Sequence, residues 1–410
     1  MTKAVHNNRL LQDLQTQLKH LEDQHLLRKR RTLLSPADAR VQTEERELLA
    51  FCSNDYLGLA NHPQLIAALQ EGAALYGAGS GASPLISGHS LAHEKLEQDL
   101  ADWYAPLVED ARALYFCTGY MANQAMVSAM AQGDATVFSE ALNHASLIDG
   151  ARLSRAQVQV FPHLNYQKLE QQLKACKTKV RVVITDSVFS MDGNIANLPE
   201  LLRICEANDA WLIVDDAHGF GVLGEQGRGV LEHYALRSPQ LIYMGTLGKA
   251  AGVSGAFVLA HSSVIEWLIQ KARSYIYTTA AAPALAHAVS QSLRIIAGPE
   301  GQQRRAHLHK LIAYFREQLD LQSWQLMPSQ TAIQPIIIGE NADTLRAGSN
   351  LLQQGYWVGA IRPPTVAKGS ARLRVCLSAA HQLPQVQQLA LAINRLDQMA
   401  YVANCFAEVF

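Results

Sequence analysis

Between about residue 110 and residue 260 the chain repeats one pattern that leaves little choice of fold: a short apolar run, then a longer stretch with helical spacing, then another apolar run. The runs are Ala113–Phe116, Thr136–Phe138, Val158–Phe161, Val180–Thr185, Trp211–Val214, Leu241–Tyr243 and Gly255–Leu259. Among the intervening stretches, Met121–Ala131, Tyr166–Cys176 and Leu198–Asn208 read as helices. A strand without polar alternation is buried on both faces, and parallel neighbours need a crossover, usually a helix, to join them. The pattern predicts an α/β fold built on a mostly parallel seven-stranded sheet.

After Gly298 the character changes. A charged helix over Gln302–Leu319 precedes strand Ile333–Ile338, a helix from Ala342, strands Trp357–Ile361 and Leu373–Leu377, and a closing helix from Pro384. This reads as a smaller α+β domain. Three segments follow: residues 1–50 as an N-terminal helix and lead-in, 51–298 as a large domain, and 299–410 as a small C-terminal domain. Leu10, Leu11, Leu14, Leu18 and Leu21 predict an amphipathic helix over residues ~7–31 that packs on the body of the protein. Arg28-Lys29-Arg30-Arg31 is read as its cationic C-terminus, which the helix dipole favours.

Composition excludes several classes. A net charge of −1 over 410 residues gives no field for nucleic acid or acidic membranes. The six cysteines contain no C-x-x-C pair, which argues against a disulfide framework or zinc cluster and suits a reducing compartment. The N-terminal stretch lacks the apolar core of a signal peptide, and nothing approaches the roughly 18 apolar residues of a membrane span. A cytoplasmic location is expected.

The chemistry-bearing residues cluster at the ends of predicted strands, where open α/β sheets place their ligands. Val214-Asp215-Asp216-Ala217-His218-Gly219 sets two carboxylates and an imidazole at one strand end. Gly245-Thr246-Leu247-Gly248-Lys249-Ala250-Ala251-Gly252 follows another, with a lysine among small residues that admit a planar ligand. A buried aspartate can hold a pyridine nitrogen protonated, and a lysine can form the Schiff base that pyridoxal 5′-phosphate (PLP) chemistry requires. Cys117-Thr118-Gly119-Tyr120-Met121-Ala122-Asn123 opens a helix directly after a strand, a place where backbone N–H groups bind phosphate. Asn143-His144-Ala145-Ser146 offers an imidazole to stack on a ring. Taken singly, each has a bland alternative in a helix cap or an exposed loop. Their combination points to PLP.

These segments, with Asp186-Ser187-Val188-Phe189-Ser190-Met191-Asp192-Gly193 and Ser53-Asn54-Asp55-Tyr56-Leu57-Gly58-Leu59, resemble the α-oxoamine synthases. That family consists of fold-type-I PLP enzymes that condense an amino acid with an acyl thioester and release CO₂. The resemblance runs from about residue 21 to the C-terminus. It implies Lys249 as the Schiff-base lysine and Cα base, Asp215 as partner of the ring nitrogen, and His144 as the stacking imidazole. It further implies His218 and Ser190 near the ring's phenolic oxygen, and Gly119, Tyr120 and Thr246 around the cofactor phosphate. Arg362 is the expected carboxylate contact for the amino acid, since a guanidinium grips a carboxylate with two hydrogen bonds. Arg28 and Thr365 are carried over as further substrate contacts.

Within the family, Ala360-Ile361-Arg362-Pro363-Pro364-Thr365-Val366 and Ala371-Arg372-Leu373-Arg374-Val375 most resemble the biotin-pathway member. The substrates implied are L-alanine and a pimeloyl thioester on coenzyme A or acyl carrier protein. Ala367, where the family has proline, and His89 in Ser-Gly-His-Ser depart from that pattern. Glycine C-acetyltransferase, using the same machinery, and a non-catalytic partner subunit that keeps the fold remain as alternatives. Tyr275-Ile276-Tyr277-Thr278-Thr279-Ala280 resembles a segment that reaches the neighbouring subunit's cofactor, so a homodimer with composite sites is expected. The competing reading of Thr278 and Thr279 is as caps of a helix starting near Ala280.

Three further patterns are read as structural. Gly219-x-Gly221-x-x-Gly224 mimics a dinucleotide fingerprint but lacks the acidic residue about 20 positions on. His89 and His93 have the spacing of a helical metal pair without further ligands, so no metal is expected. Gly77–Gly81 lacks the Gly-Lys-Ser/Thr ending of a phosphate loop.

Overall fold

The computed structural model describes residues 8–407. Thirteen strands are present among them: β1 (Arg40–Gln42), β2 (Glu47–Phe51), β3 (Ala111–Phe116), β4 (Ala135–Glu140), β5 (Gln157–Phe161), β6 (Val180–Asp186), β7 (Trp211–Asp215), β8 (Leu241–Thr246), β9 (Ala256–His261), β10 (Gln325–Leu326), β11 (Ile333–Gly339), β12 (Tyr356–Ile361) and β13 (Ala371–Cys376). Seven form the large sheet in the order β3-β9-β8-β7-β6-β4-β5. Only β9 runs against its neighbours β3 and β8; β8, β7, β6, β4 and β5 pair in parallel.

The absence of polar alternation has its physical counterpart in two cores. Leu212, Val214 and Tyr243 point into one, while Ile213, Ile242 and Met244 point into the other. The inner strands therefore bury both faces under helices, whereas the edge strand β5 sets Gln157 and Gln159 among exposed valines; at about 25 cal/mol per Å² the apolar burial of the inner strands is the main drive holding the sheet together. One consequence positions the site: the carboxyl ends of β3, β4, β6, β7 and β8 all emerge on the same edge of the sheet.

The second sheet has the order β1-β2-β12-β13-β11-β10. Its C-terminal strands match the sequence pattern, but β1 and β2 come from the lead-in segment, with β2 pairing parallel to β12. Their brevity hid them: β1 has three residues and β2 five.

The N-terminal helix covers Arg9–Asp23 and stops short of residue 31. His25 adopts a left-handed backbone (φ 58°), so the chain turns before the basic run is reached. Arg28–Arg31 therefore do not form the helix C-terminus, which corrects that expectation. The helix also buries none of its residues within this chain; Leu10, Leu11, Leu14 and Leu18 are all more than half exposed. Its apolar stripe is unpartnered in the single subunit, contrary to the expected packing.

Candidate active site

β7 ends on Asp215, and the adjacent carboxylates face opposite ways. Asp215 is buried; its Oδ2 accepts a hydrogen bond from Asn123 Nδ2 at 2.6 Å and its Oδ1 one from the Ala217 amide at 2.9 Å. Asp216, fully buried, turns into the protein and accepts from Tyr243 Oη (2.8 Å), the Val230 amide (2.9 Å) and the Ser187 hydroxyl. Burial pushes the Asp216 carboxyl up to about 7, with its hydrogen bonds opposing the shift. Asp216 is thus consumed by structure, and Asp215 is the carboxylate left beside the other functional groups.

Lys249 stands three residues past β8, with Nζ 2.8 Å from His218 Nε2. His218 Nδ1 lies 2.7 Å from the Tyr56 hydroxyl, which in turn donates to Asn54 Oδ1 at 3.1 Å. With the tyrosine proton directed at Asn54, the tyrosine oxygen accepts the Nδ1 proton, and Nε2 is left as an acceptor facing the lysine. Burial lowers Lys249 to about 8, against the opposing pull of Asp215 and Asp186. Burial, then the lysine charge, holds His218 well below its ordinary range. The lysine therefore gives up its proton far more readily than an exposed lysine.

His144 caps the helix Ala145–Ser154, and its backbone N–H donates to Asp186 Oδ2 at 2.6 Å. Burial lowers its pKa, with the Asp215 charge pulling the other way. Asp186, at the end of β6, is raised well above the carboxylate range by burial and then by Asp215.

The phosphate position predicted at Gly119 is the first turn of the helix Gly119–Met130, capped by Thr118 accepting from the Met121 amide at 3.2 Å. A Cβ on Gly119 would sit 3.8 Å from Thr246 Oγ1, so these two predicted residues face one space. Tyr120 is at the same helix start, 42% exposed, with its hydroxyl on Asp149. Taken together, a shielded amine, a buried carboxylate, an imidazole and a helix N-terminus with an adjacent hydroxyl make a donor set that fits PLP.

Ser190 contributes its carbonyl, which accepts from Arg374 Nε at 2.6 Å. Arg362 donates to the His25 carbonyl, while Arg28 Nη2 reaches Thr365 Oγ1 at 3.5 Å. Arg28, Thr365 and Arg362 thus form an outer cationic cluster where the N-terminal segment meets the end of β12. Arg374, on β13 and buried, is the guanidinium that reaches the inner site, with Nη1 3.2 Å from Asn54 Oδ1 and its charge acting on Lys249 and His218. Sequence reasoning quoted Arg374, Asn54 and Tyr56 only as motif letters. The available signal was a pair of arginines, Arg372 and Arg374, alternating with apolar residues in one strand, a placement that demands partners.

Thr278 and Thr279 do not cap a helix. The next one begins at Pro283 with Ala282 as its N-cap and no side-chain cap bond. They are placed instead beside the predicted cradle, where Cys117 Sγ donates to the Thr279 carbonyl at 3.4 Å. His93 closes a capping box with Ser90, and His89 pairs with Glu97 at 3.2 Å. Gly221 (φ 80°) belongs to a loop pressed on the residue after Lys249: a Cβ there would fall 2.9 Å from Ala250 Cβ. Gly77 ends the helix Pro63–Tyr76. The Ala367 carbonyl closes a turn by accepting from Ser370 Oγ at 2.8 Å.

Comparison with known proteins agrees with this geometry. Residues 46–393 match the family of aminotransferases, class I and II. An 8-amino-7-oxononanoate synthase from Janthinobacterium sp. (strain Marseille) is 63% identical over 391 residues, covering 95% of this chain and 99% of the relative. The chain belongs to the α-oxoamine synthase branch of the class I and II aminotransferase family. An 8-amino-7-oxononanoate synthase structure from Francisella tularensis, 30% identical, superposes with a TM-score of 0.74 over 86% of this chain and 99% of the other. A serine palmitoyltransferase from S. paucimobilis, solved with a bound PLP–myriocin adduct, is 25% identical with a TM-score of 0.87, covering 96% and 98%. The fold is that of the type I PLP transferases, and PLP is the cofactor.

Proposed function

We propose that this α-oxoamine synthase condenses L-alanine with a pimeloyl thioester to give 8-amino-7-oxononanoate, CO₂ and the free thiol carrier, a step of biotin biosynthesis. The observation that carries the reading is the Lys249–His218–Tyr56 chain meeting Asp215 and His144 at one sheet edge, in a chain 63% identical to a relative of that name.

PLP, when bound, supplies an electron sink that stabilises negative charge at the amino acid's Cα, before acylation and again as CO₂ leaves. The protein's own residues do the rest. Asp215 holds a proton on the pyridine nitrogen, because an adjacent charge in low dielectric favours the protonated ring. His144 covers one ring face. Lys249 Nζ anchors the cofactor and, once released, takes the proton from Cα; a basicity near 8 suits a base working at neutral pH. His218, kept neutral, holds that amine by its Nε2 lone pair. Ser190 and His218 border the phenolic oxygen, while Gly119, Tyr120 and Thr246 receive the phosphate.

Arg374 is the residue best placed for the alanine carboxylate. Arg362, Arg28 and Thr365 suit the far, carboxylate-bearing end of the acyl chain, since three groups at the rim present two guanidiniums. A homodimer completes the site, with Thr278 and Thr279 donating to the partner's cofactor phosphate. The exposed leucines of the helix Arg9–Asp23 support an oligomer, as an apolar stripe of that size calls for cover. The unpaired state of all five cysteines with described side chains supports a cytoplasmic setting. Among the described residues no helix is long and apolar enough to cross a membrane.

The test offers alanine, glycine and serine against acetyl, pimeloyl and palmitoyl thioesters on coenzyme A, with pimeloyl-acyl carrier protein as a further donor. Products are identified by mass spectrometry. Alanine with a pimeloyl donor should dominate; preference for glycine with acetyl-coenzyme A would replace this reading by glycine C-acetyltransferase.

A further inference from the structure

Asn123 and Ser146 lie between the two groups expected to sandwich and protonate the ring, and both are about 1% exposed. Asn123 Nδ2 donates to Asp215 Oδ2 at 2.6 Å and to Ser146 Oγ at 2.8 Å, using both of its amide protons. Ser146 Oγ lies 2.6 Å from His144 Nδ1, and the Ser146 backbone N–H also points at that nitrogen, at 3.2 Å. A backbone N–H can only donate, so Nδ1 is an acceptor. Ser146, already accepting from Asn123, then gives its single hydroxyl proton to the same nitrogen.

Every bond in the set has one direction. The proton of His144 is consequently on Nε2, the ring edge left free of these partners. The arrangement leaves Asn123 Oδ1 buried without a hydrogen-bond partner. An unpaired buried carbonyl costs about 1–3 kcal/mol. Flipping the amide would present that oxygen to the Asp215 carboxylate, two acceptors facing each other. The orphaned oxygen is the trace of an amide orientation imposed by Asp215.

We infer that Asn123 and Ser146 are positioning residues: a one-way relay from the Asp215 carboxylate to His144 that fixes His144 as a neutral imidazole carrying its proton on Nε2. The inference rests on the PLP reading for its purpose, but the relay exists in the protein alone. A neutral ring adds no cation beside a protonated pyridine and Lys249. The charges around His144 are Asp215, Lys249 and Asp149, with Asp186 on its backbone N–H. A free Nδ1 would let the imidazole gain a second proton under the pull of Asp215. Two donors on Nδ1 oppose that.

The experiment is ¹⁵N-histidine NMR on wild type and Ser146→Ala, each with and without PLP, alongside steady-state kinetics and the visible band of bound PLP. Assignment of His144 uses a His144→Asn variant. In wild type, Nδ1 should be unprotonated and Nε2 protonated from about pH 6 to 8, the range in which imidazoles otherwise titrate. Ser146→Ala removes one atom and should keep the fold, with a circular-dichroism melt lowered by a few degrees at most, because one Asn123 amide proton loses its acceptor. It should show mixed tautomers, a raised His144 pKa and kcat lower by up to about tenfold, the size of one net hydrogen bond. PLP affinity should hardly move. Ser146→Thr, which restores the hydroxyl, should recover the wild-type tautomer. Asn123→Asp, of the same shape, should disturb both His144 and the visible band. An unchanged tautomer and pH profile in Ser146→Ala would overturn the relay. A wild-type protein with the expected tautomer but no visible PLP band would instead remove the cofactor reading on which its purpose depends.

Discussion

The two adjacent aspartates permit a test in which each half predicts a different failure. Asp215→Asn preserves shape and removes a charge. An opposite charge at contact range moves a neighbour's pKa by about one to three units, and each unit is about 1.4 kcal/mol, a factor of ten. The variant should therefore lose about 10- to 1,000-fold in kcat. Its new amide must also face either the Asn123 amide or the Ala217 N–H, both donors, which costs about 1–3 kcal/mol of local stability. Asp216→Asn acts through the fold instead. Its carboxyl accepts three hydrogen bonds; an amide oxygen can keep those from the Val230 N–H and Tyr243, but the NH₂ then faces Ser187, whose hydroxyl must turn from donor to acceptor. Because burial raises this carboxyl from 3.8 to about 7, the folded state binds the extra proton. The resulting stabilisation is full below the unfolded value and is lost as pH rises through about 7. Thermal melts of the PLP-free protein across that range, paired with kcat for alanine, separate the variants. Asp216→Asn should show a flatter melting profile between those pH values, yet retain turnover per folded molecule. A stable but inactive Asp216→Asn, beside a near-wild-type Asp215→Asn, would refute the assignment.

Other expectations follow from the same geometry. Lys249→Ala should abolish turnover while PLP still binds non-covalently; borohydride reduction of the wild type and peptide mapping should place the pyridoxyl group on Lys249 and on no other lysine. The rate of PLP capture by the PLP-free enzyme should rise with pH and level off above about 8, following the burial-lowered lysine. Arg374→Lys should raise KM for alanine far more than for the thioester, and Arg362→Ala should do the reverse, each by about 2–4 kcal/mol or less of lost carboxylate binding. The opposite split would return Arg362 to the amino-acid carboxylate. Mixing a Lys249→Ala chain with a Thr278→Ala/Thr279→Ala chain, both inactive as homodimers, should restore activity through one intact composite site per heterodimer. No recovery after proven subunit exchange would favour a self-contained site.

What the sequence made legible was whatever depends on local periodicity or on short motifs. The inner strands of the large sheet announced themselves because each buries two faces and so carries a largely apolar run; the edge strand β5, mostly exposed and with Gln157 and Gln159 between its valines, is the exception. The motif lysine, aspartate and histidines were legible because each sits within a few residues of a strand end, where chain direction alone fixes the edge. What escaped was set by distance along the chain. Asn123 and Asp215 are 92 positions apart, and Tyr56 and His218 are 162 apart, so neither bond leaves a local trace. Strands β1 and β2 are too short to show a period, and β12, the partner of β2, lies some 300 residues on, so the strands of the lead-in segment, which join the small sheet, left no local sign. Arg374 and Arg362 look equivalent as letters: both follow apolar residues near the C-terminus. They differ because β13 is central in its sheet, between β11 and β12, and carries Arg374 inward beside Asn54. Arg362 follows the end of β12, where the chain has already left the sheet. Telling the two arginines apart therefore needs the pairing of strands, a property of the whole fold that no spacing rule encodes.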